Sequence, residues 1–269
     1  MENPNNFKKI RQERKYAILE TKVRMKHDKK GGVTYPLQDS NLDSFAYSFY
    51  SLVPKEYQKS GDLGKDFKSF IESILKKGSI AGEFGGIGYD LFTNSETGFS
   101  KDFFIKTLGV ALANEKKRQP DLYGDPNKEK FKNHTVIEGD IFDRSIKNNS
   151  TKNEIIKWLN GEKFDLIIER LAGGQVDAPQ SLGFQFKILQ DWYQILNENG
   201  LIFIELPINL EKVKKEYFVK KYKSEDRYLL ESWVKKINSE YSGTIEIKLV
   251  DDVMLIHKKY GAPKFLPKF

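Results

Sequence analysis

Three acids and a knot of glycines carry most of the chemistry legible in this chain. The stretch Ser79-Ile-Ala-Gly-Glu-Phe-Gly-Gly-Ile-Gly-Tyr-Asp-Leu-Phe92 opens on small apolar residues suited to the end of a buried strand. Glu83 and Phe84 come next, then Gly85, Gly86 and Gly88, and Tyr89 to Phe92 can open a short helix. A strand, a glycine turn and a helix start make a place where backbone can approach a ligand closely, because glycine adds no Cβ and tolerates positive φ. Downstream, Asp140 succeeds a short β-branched run, and Glu169-Arg170 succeeds the apolar run Phe164-Asp-Leu-Ile-Ile. An acid at a strand end can accept a proton or a donor hydrogen, and an arginine there can hold an anion.

The elements that must position these residues form a repeating pattern. The residues Phe67, Phe70, Ile71, Ile74 and Leu75 recur at helical spacing and predict a helix over 66–77, stopped by Gly78 just before the glycine stretch. A second strand is expected over 107–112, and a third from His134 to the Gly-Asp-Ile at 139–141. A helix is expected over 152–159, a fourth strand over 163–170, a helix over 182–196 and a fifth strand over 201–207. Near-continuous apolar runs such as 164–168 suit parallel strands covered on both faces. A helix over 225–237 precedes two strands, 244–250 and 252–257, joined tightly enough to be antiparallel. Ligands of open α/β sheets sit beyond the carboxyl ends of the strands, which is where Glu83, Asp140, Glu169 and Arg170 fall.

Composition bounds the function further. The 269 residues hold no cysteine, so disulfides, thiolate metal sites and a cysteine nucleophile are excluded. His27, His134 and His257 are far apart in sequence, which argues against a histidine-rich metal site. No apolar run approaches the ~20 residues of a membrane span, and the polar start Met-Glu-Asn-Pro-Asn-Asn lacks a signal-peptide core. A cytoplasmic protein without a membrane partner is expected. The net charge of +7 suits an acidic partner such as RNA, although lysine richness also serves solubility. Residues 1–32 are basic and carry apolar positions at helical spacing, and 212–223 form a second basic segment. The aromatic patch Phe45-Ala-Tyr-Ser-Phe-Tyr50 suits core or a cover over a pocket more than base stacking. The division expected is an N-terminal basic and aromatic helical extension, 1–65, followed by an α/β domain, 66–269.

The acid-x-Gly-Gly-x-Gly of Glu83 to Gly88 resembles motif I of the class I S-adenosylmethionine-dependent methyltransferases, acid-x-Gly-x-Gly-x-Gly, with Gly85 as an extra residue and Asp90 in place of the last glycine. The order of the downstream segments strengthens the resemblance: Gly-Asp-Ile, Phe-Asp-Leu-Ile-Ile, Gly-Leu-Ile-Phe-Ile and a terminal strand pair. The resemblance covers roughly 66–257. It implies a Rossmann-like three-layer α/β/α sandwich, a seven-stranded and mostly parallel sheet with an antiparallel terminal pair, and S-adenosyl-L-methionine in the glycine cleft. It implies cofactor contacts from Glu83, Phe84, Gly85, Gly86 and Gly88, with Asp140 and Ile141 at the adenine. The family's ribose-binding acid is commonest where this chain has Ala111, so Asn114 or Glu115 is the substitute. Glu169 is the candidate general base and Arg170 a candidate anion holder, the plainer alternative being a structural ion pair between them. The Asn/Asp-Pro-Pro-aromatic motif of many amino-group methyltransferases is missing after the fourth strand, as is an evident ribose-methyltransferase set. The methyl acceptor is therefore open between RNA and a small molecule. A methyltransferase-like module without catalysis competes with this reading. A dehydrogenase is disfavoured, because a Gly-x-Gly-x-x-Gly read from Gly86 would need glycine at Leu91.

Overall fold

The computed structural model describes residues 41–100, 102–111, 132–142, 150–169, 182–206, 224–251 and 253–268. Seven strands form one sheet: β1 (Ser79–Phe84), β2 (Phe104–Ala111), β3 (His134–Glu138), β4 (Phe164–Glu169), β5 (Leu196–Glu205), β6 (Ile245–Val250) and β7 (Val253–Lys258). Their order across the sheet is β3-β2-β1-β4-β5-β7-β6. The first five strands pair in parallel, and β7 runs antiparallel to both β5 and β6. Strand order reverses between β1 and β4, so the topological switch point lies there.

Alternation along the strands divides the core between two faces. Ile80, Phe84, Leu108, Val110, Ile167, Ile202 and Ile204 pack on one side against α4 (Thr151–Leu159), α5 (Leu182–Gln194) and α6 (Ser224–Glu240). Ala81, Leu166, Ile168, Leu201 and Phe203 pack on the other against α1 (Leu42–Phe49) and α2 (Leu63–Ile74). A short helix α3 (Tyr89–Thr93) comes after the glycines. This is the expected α/β/α sandwich with an antiparallel terminal pair.

The aromatic patch supplies core. Phe203 on β5 has the rings of Phe49, Phe67 and Phe70 at 5.5, 5.1 and 6.4 Å. Such pairs add about 0.5–1.5 kcal/mol each beyond the area they bury. Tyr47, on the opposite side of α1, is exposed. Asp66 is buried and bolts the segment down: it accepts from the Tyr50 hydroxyl at 2.8 Å and from the Ser60 amide at 2.9 Å. Burial raises its carboxyl, but these donors outweigh it and hold the group below the ordinary aspartate value. Helix α2 starts at Leu63, capped by Asp62 accepting from the Lys65 amide, so it runs across position 65–66.

Several boundaries differ from the sequence expectation, three of them with a visible cause. Strand β2 begins at Phe104 rather than 107, because Lys106 does not interrupt it: its Nζ reaches the Trp158 carbonyl at 2.7 Å and Glu162 at 2.8 Å. Strand β5 begins at Leu196 rather than 201, with a break of register between Phe164 and Leu166 on the paired β4 and Asn199 at φ 62°. Helix α2 ends at Ile74, before Gly78, whose φ of 94° serves the turn into β1.

Lys258, at the end of β7, is a buried cation. Its Nζ donates to the carbonyls of Tyr193 at 3.1 Å, in the last turn of α5, and Leu196 at 2.9 Å, just past it, where a positive charge suits the orphan carbonyls. Its ammonium lies 4.4 Å from the Tyr193 ring centre. Burial, with the charge of Lys163, lowers its pKa to about 8.

Candidate functional site

Glycines bend the chain sharply at the carboxyl end of β1. Every residue of β1 is buried, including Glu83 at its penultimate position. Gly85 has φ 105° and Gly88 φ 70°, a region that side-chain-bearing residues rarely adopt. The Gly85 amide donates to the Val110 carbonyl at 2.8 Å, so the loop first turns toward β2. It then seats Ile87 directly on Gly109 of that strand. A Cβ on Gly109 would lie 2.2 Å from the Ile87 carbonyl oxygen and 2.5 Å from its carbon. Glycines in two places therefore serve one fold: those in the loop allow the bend, and Gly109 on β2 makes room for it.

Ala111 closes β2 in a small apolar cluster with Ile87 and Tyr89. It is fully buried there. The position at which the resemblance would put an acid thus faces packed side chains, where a carboxylate would have to be desolvated. Asn114 and Glu115, the expected substitutes, lie outside the described residues.

Asp140 and Ile141 come after β3. The Asp140 carboxylate accepts from the Phe142 amide at 3.1 Å, a local turn, while Ser150 caps the next helix by accepting from the Asn153 amide. Ile141 is half-buried against the core that also contains Phe84 and Val110.

Glu169 ends β4. Its register partners are Phe84 on β1 and Ile204 on β5, which puts it at the switch point. Glu83 pairs with Ile168 instead. The two acids therefore leave the sheet on opposite faces and do not form one carboxylate pair. Glu169 is 1% exposed, and among the described residues neither carboxyl oxygen has a hydrogen-bond partner. Burial pushes its pKa well above the ordinary glutamate value, and the charge of Glu205 adds to that. The Glu205 amide opposes the shift but falls outside hydrogen-bonding geometry. Arg170, the next residue, lies outside the described residues, as do the basic segments 1–32 and 212–223.

Sequence reasoning passed over His134. It is the first residue of β3 and is buried. Its Nε2 lies 2.7 Å from the Ile87 carbonyl oxygen and its Nδ1 2.8 Å from the Thr107 hydroxyl of β2. Its ring centre is 4.7 Å from that of Tyr89. Only the assembled strands bring these groups together, so no spacing in the chain announces them. Among the described residues, no group of three or more histidines or acids is arranged to hold a metal ion. No helix among them is long and apolar enough to cross a membrane.

The strand order, the parallel core and the antiparallel β6–β7 pair are those of the class I methyltransferase fold, and this chain has that fold. Several solved structures are similar to it. The MycE methyltransferase of the mycinamycin biosynthetic pathway, in complex with Mg and SAH, is 12% identical at a TM-score of 0.44, covering 86% of this chain. The chain spans 58% of MycE's length. The N-methyltransferase NodS from Bradyrhizobium japonicum WM9 is 8% identical at a TM-score of 0.39, over 76% of this chain and 98% of its own. The sugar N-methyltransferase KedS8 from Streptoalloteichus sp ATCC 53650 is 11% identical at a TM-score of 0.43, over 85% and 98%. No family model and no curated protein matches the sequence.

Proposed function

We propose that this protein is an S-adenosyl-L-methionine-dependent methyltransferase. The observation that carries the reading is the glycine loop at the carboxyl end of the central strand β1, bent through positive φ at Gly85 and Gly88 and seated on Gly109 beside the switch point. Side chains are lacking at Gly85 and Gly86, so the backbone there can approach a bound molecule, while Gly88 supplies the left-handed turn. The cofactor fits this set. Glu83 and Phe84 with the loop would hold its methionine portion, and Asp140 and Ile141 would meet the adenine by hydrogen bond and packing. Asn114 would stand in at the ribose. S-Adenosylmethionine supplies an already activated methyl on a sulfonium.

The chain's own part is to bind, to align an acceptor in line with that methyl and to exclude water. Glu169 would receive the proton that the acceptor gives up. The cofactor would supply the methyl to the acceptor's lone pair and leave as a neutral thioether. The raised pKa makes Glu169 a stronger base once ionised. Arg170 would hold an anionic part of the acceptor, which we assign to RNA or a small molecule. A second reading, a methyltransferase-like binding or assembly module without catalysis, is favoured by one observation: apolar packing occupies Ala111 where the ribose acid is expected.

Calorimetry with S-adenosylmethionine, S-adenosylhomocysteine and NAD separates the readings. Binding of the first two and not of NAD is expected, followed by transfer of labelled methyl to an RNA or small-molecule pool. Failure of both sulfur compounds to bind overturns the proposal. Binding without turnover on any pool favours the module.

A further inference from the structure

We propose that His134 is a positioning residue that latches the glycine loop in the conformation that receives the cofactor. The identity of what the loop binds rests on the methyltransferase reading, and the latch itself rests on geometry alone. A backbone carbonyl can only accept, so the 2.7 Å contact to the Ile87 oxygen puts the ring hydrogen on Nε2. Nδ1 of the neutral ring then accepts from the Thr107 hydroxyl at 2.8 Å. Each ring nitrogen is matched to a group whose role the other one fixes.

The latch joins three elements that the sequence holds far apart. Ile87 is in the loop after β1, Thr107 is on β2 and His134 opens β3. The Ile87 carbonyl is held from two sides, by the His134 hydrogen bond and by the floor at Gly109. The ring also fills the space over Gly88, where a Cβ would lie 3.0 Å from His134 Cε1. Gly88 is thus required twice, by its φ of 70° and by the imidazole above it. The latch tolerates a second ring proton. Nδ1 would then donate to Thr107 Oγ1, and the threonine hydroxyl can turn to the Asn133 carbonyl, already 3.3 Å away. Nε2 keeps its bond to Ile87 in both charge states. Tyr89 is the titratable group whose ring packs on the imidazole, from α3.

The test compares wild type with His134→Phe, which keeps an aromatic ring against Tyr89 and Phe92, and His134→Gln, whose carboxamide can still donate to the Ile87 carbonyl. Amide hydrogen exchange in the unliganded protein is read at Gly85 and Phe92, which flank the loop and bond to the Val110 and Gly88 carbonyls. In His134→Phe these two amides exchange at least tenfold faster while those of β4 and β5 are unchanged. The dissociation constant for S-adenosylhomocysteine rises at least tenfold, and His134→Gln recovers most of both effects. Imidazole nitrogen shifts of the wild type report the hydrogen on Nε2. Unchanged exchange at Gly85 and Phe92, or equal acceleration across the whole sheet, overturns the latch. If wild type fails to bind S-adenosylhomocysteine, the cofactor assignment falls, and the exchange data still decide the latch.

Discussion

Glu169→Gln yields a protein that melts a few degrees above the wild type at neutral pH, with the gain vanishing near pH 4. The sign comes from the raised pKa of the buried carboxyl. Below an ordinary glutamate value of about 4.3, folded and unfolded chains both hold the proton and the group contributes no pH dependence. As pH rises past that value the unfolded chain ionises first, while the folded chain keeps its proton. Stability is therefore lost as pH rises through the window between the ordinary and the raised value, by about 1.4 kcal/mol per pH unit inside it. Glutamine has nearly the same shape and no charge to lose, so it escapes this cost. Each kcal/mol appears as roughly 2–4 °C of melting temperature for a domain of this size. Methyl transfer falls about 10²–10⁴-fold in the same variant if Glu169 takes the acceptor's proton. In the wild type the rate rises with pH as Glu169 ionises. A melting difference that ignores pH sinks the picture of a buried neutral acid, and full activity in the variant removes Glu169 as the base.

Gly109→Ala has the second large effect. The added methyl meets backbone, with Ile87 atoms at 2.2, 2.5 and 2.9 Å, and backbone cannot swing aside as a flexible side chain can. The loop must lift off β2, so a loss of about 1–3 kcal/mol in stability is expected. Affinity for S-adenosylhomocysteine should fall about tenfold or more, the equivalent of roughly 1.4 kcal/mol of binding, because lifting the loop displaces the backbone that would meet the ligand. Gly243→Ala is the control: nothing lies within 4 Å of its Cβ, and stability stays within about 0.5 kcal/mol. Wild-type affinity in Gly109→Ala would show that the loop bears no fixed relation to the strand beneath it.

Much of the fold was legible because buried parallel strands announce themselves. Phe164-Asp-Leu-Ile-Ile and Gly-Leu-Ile-Phe-Ile have few alternatives once helices flank them. Boundaries were less so. The start of β2 at Phe104 escapes a local reading, because only the assembled fold has Trp158 and Glu162 receiving the Lys106 ammonium. Asn-Glu-Asn-Gly at 197–200 reads as a stop, yet the strand absorbs it through a break of register and one left-handed residue. The site divides in the same way. Glu83, the glycines and Glu169 stand at strand ends, and a strand end is a property of local sequence. The opposite projection of Glu83 and Glu169 depends on the register of β1 with β4, which no single segment encodes. The latch at His134 and the floor at Gly109 depend on three strands and a loop meeting, so neither could be found from spacing alone.

Lys258 offers a use of a different kind. An amine-labelling reagent reaches its nitrogen only when β7 leaves its neighbours, since the group is 4% exposed and bonded to two carbonyls. The solvent-facing lysines react at the intrinsic rate. The ratio of the two rates is then the fraction of time β7 stands open from its neighbours, and mass spectrometry of the labelled peptides reads it at native conditions. The chain thus carries its own clock for opening, at the amino ends of the parallel strands and away from the carboxyl edge where the glycine loop sits.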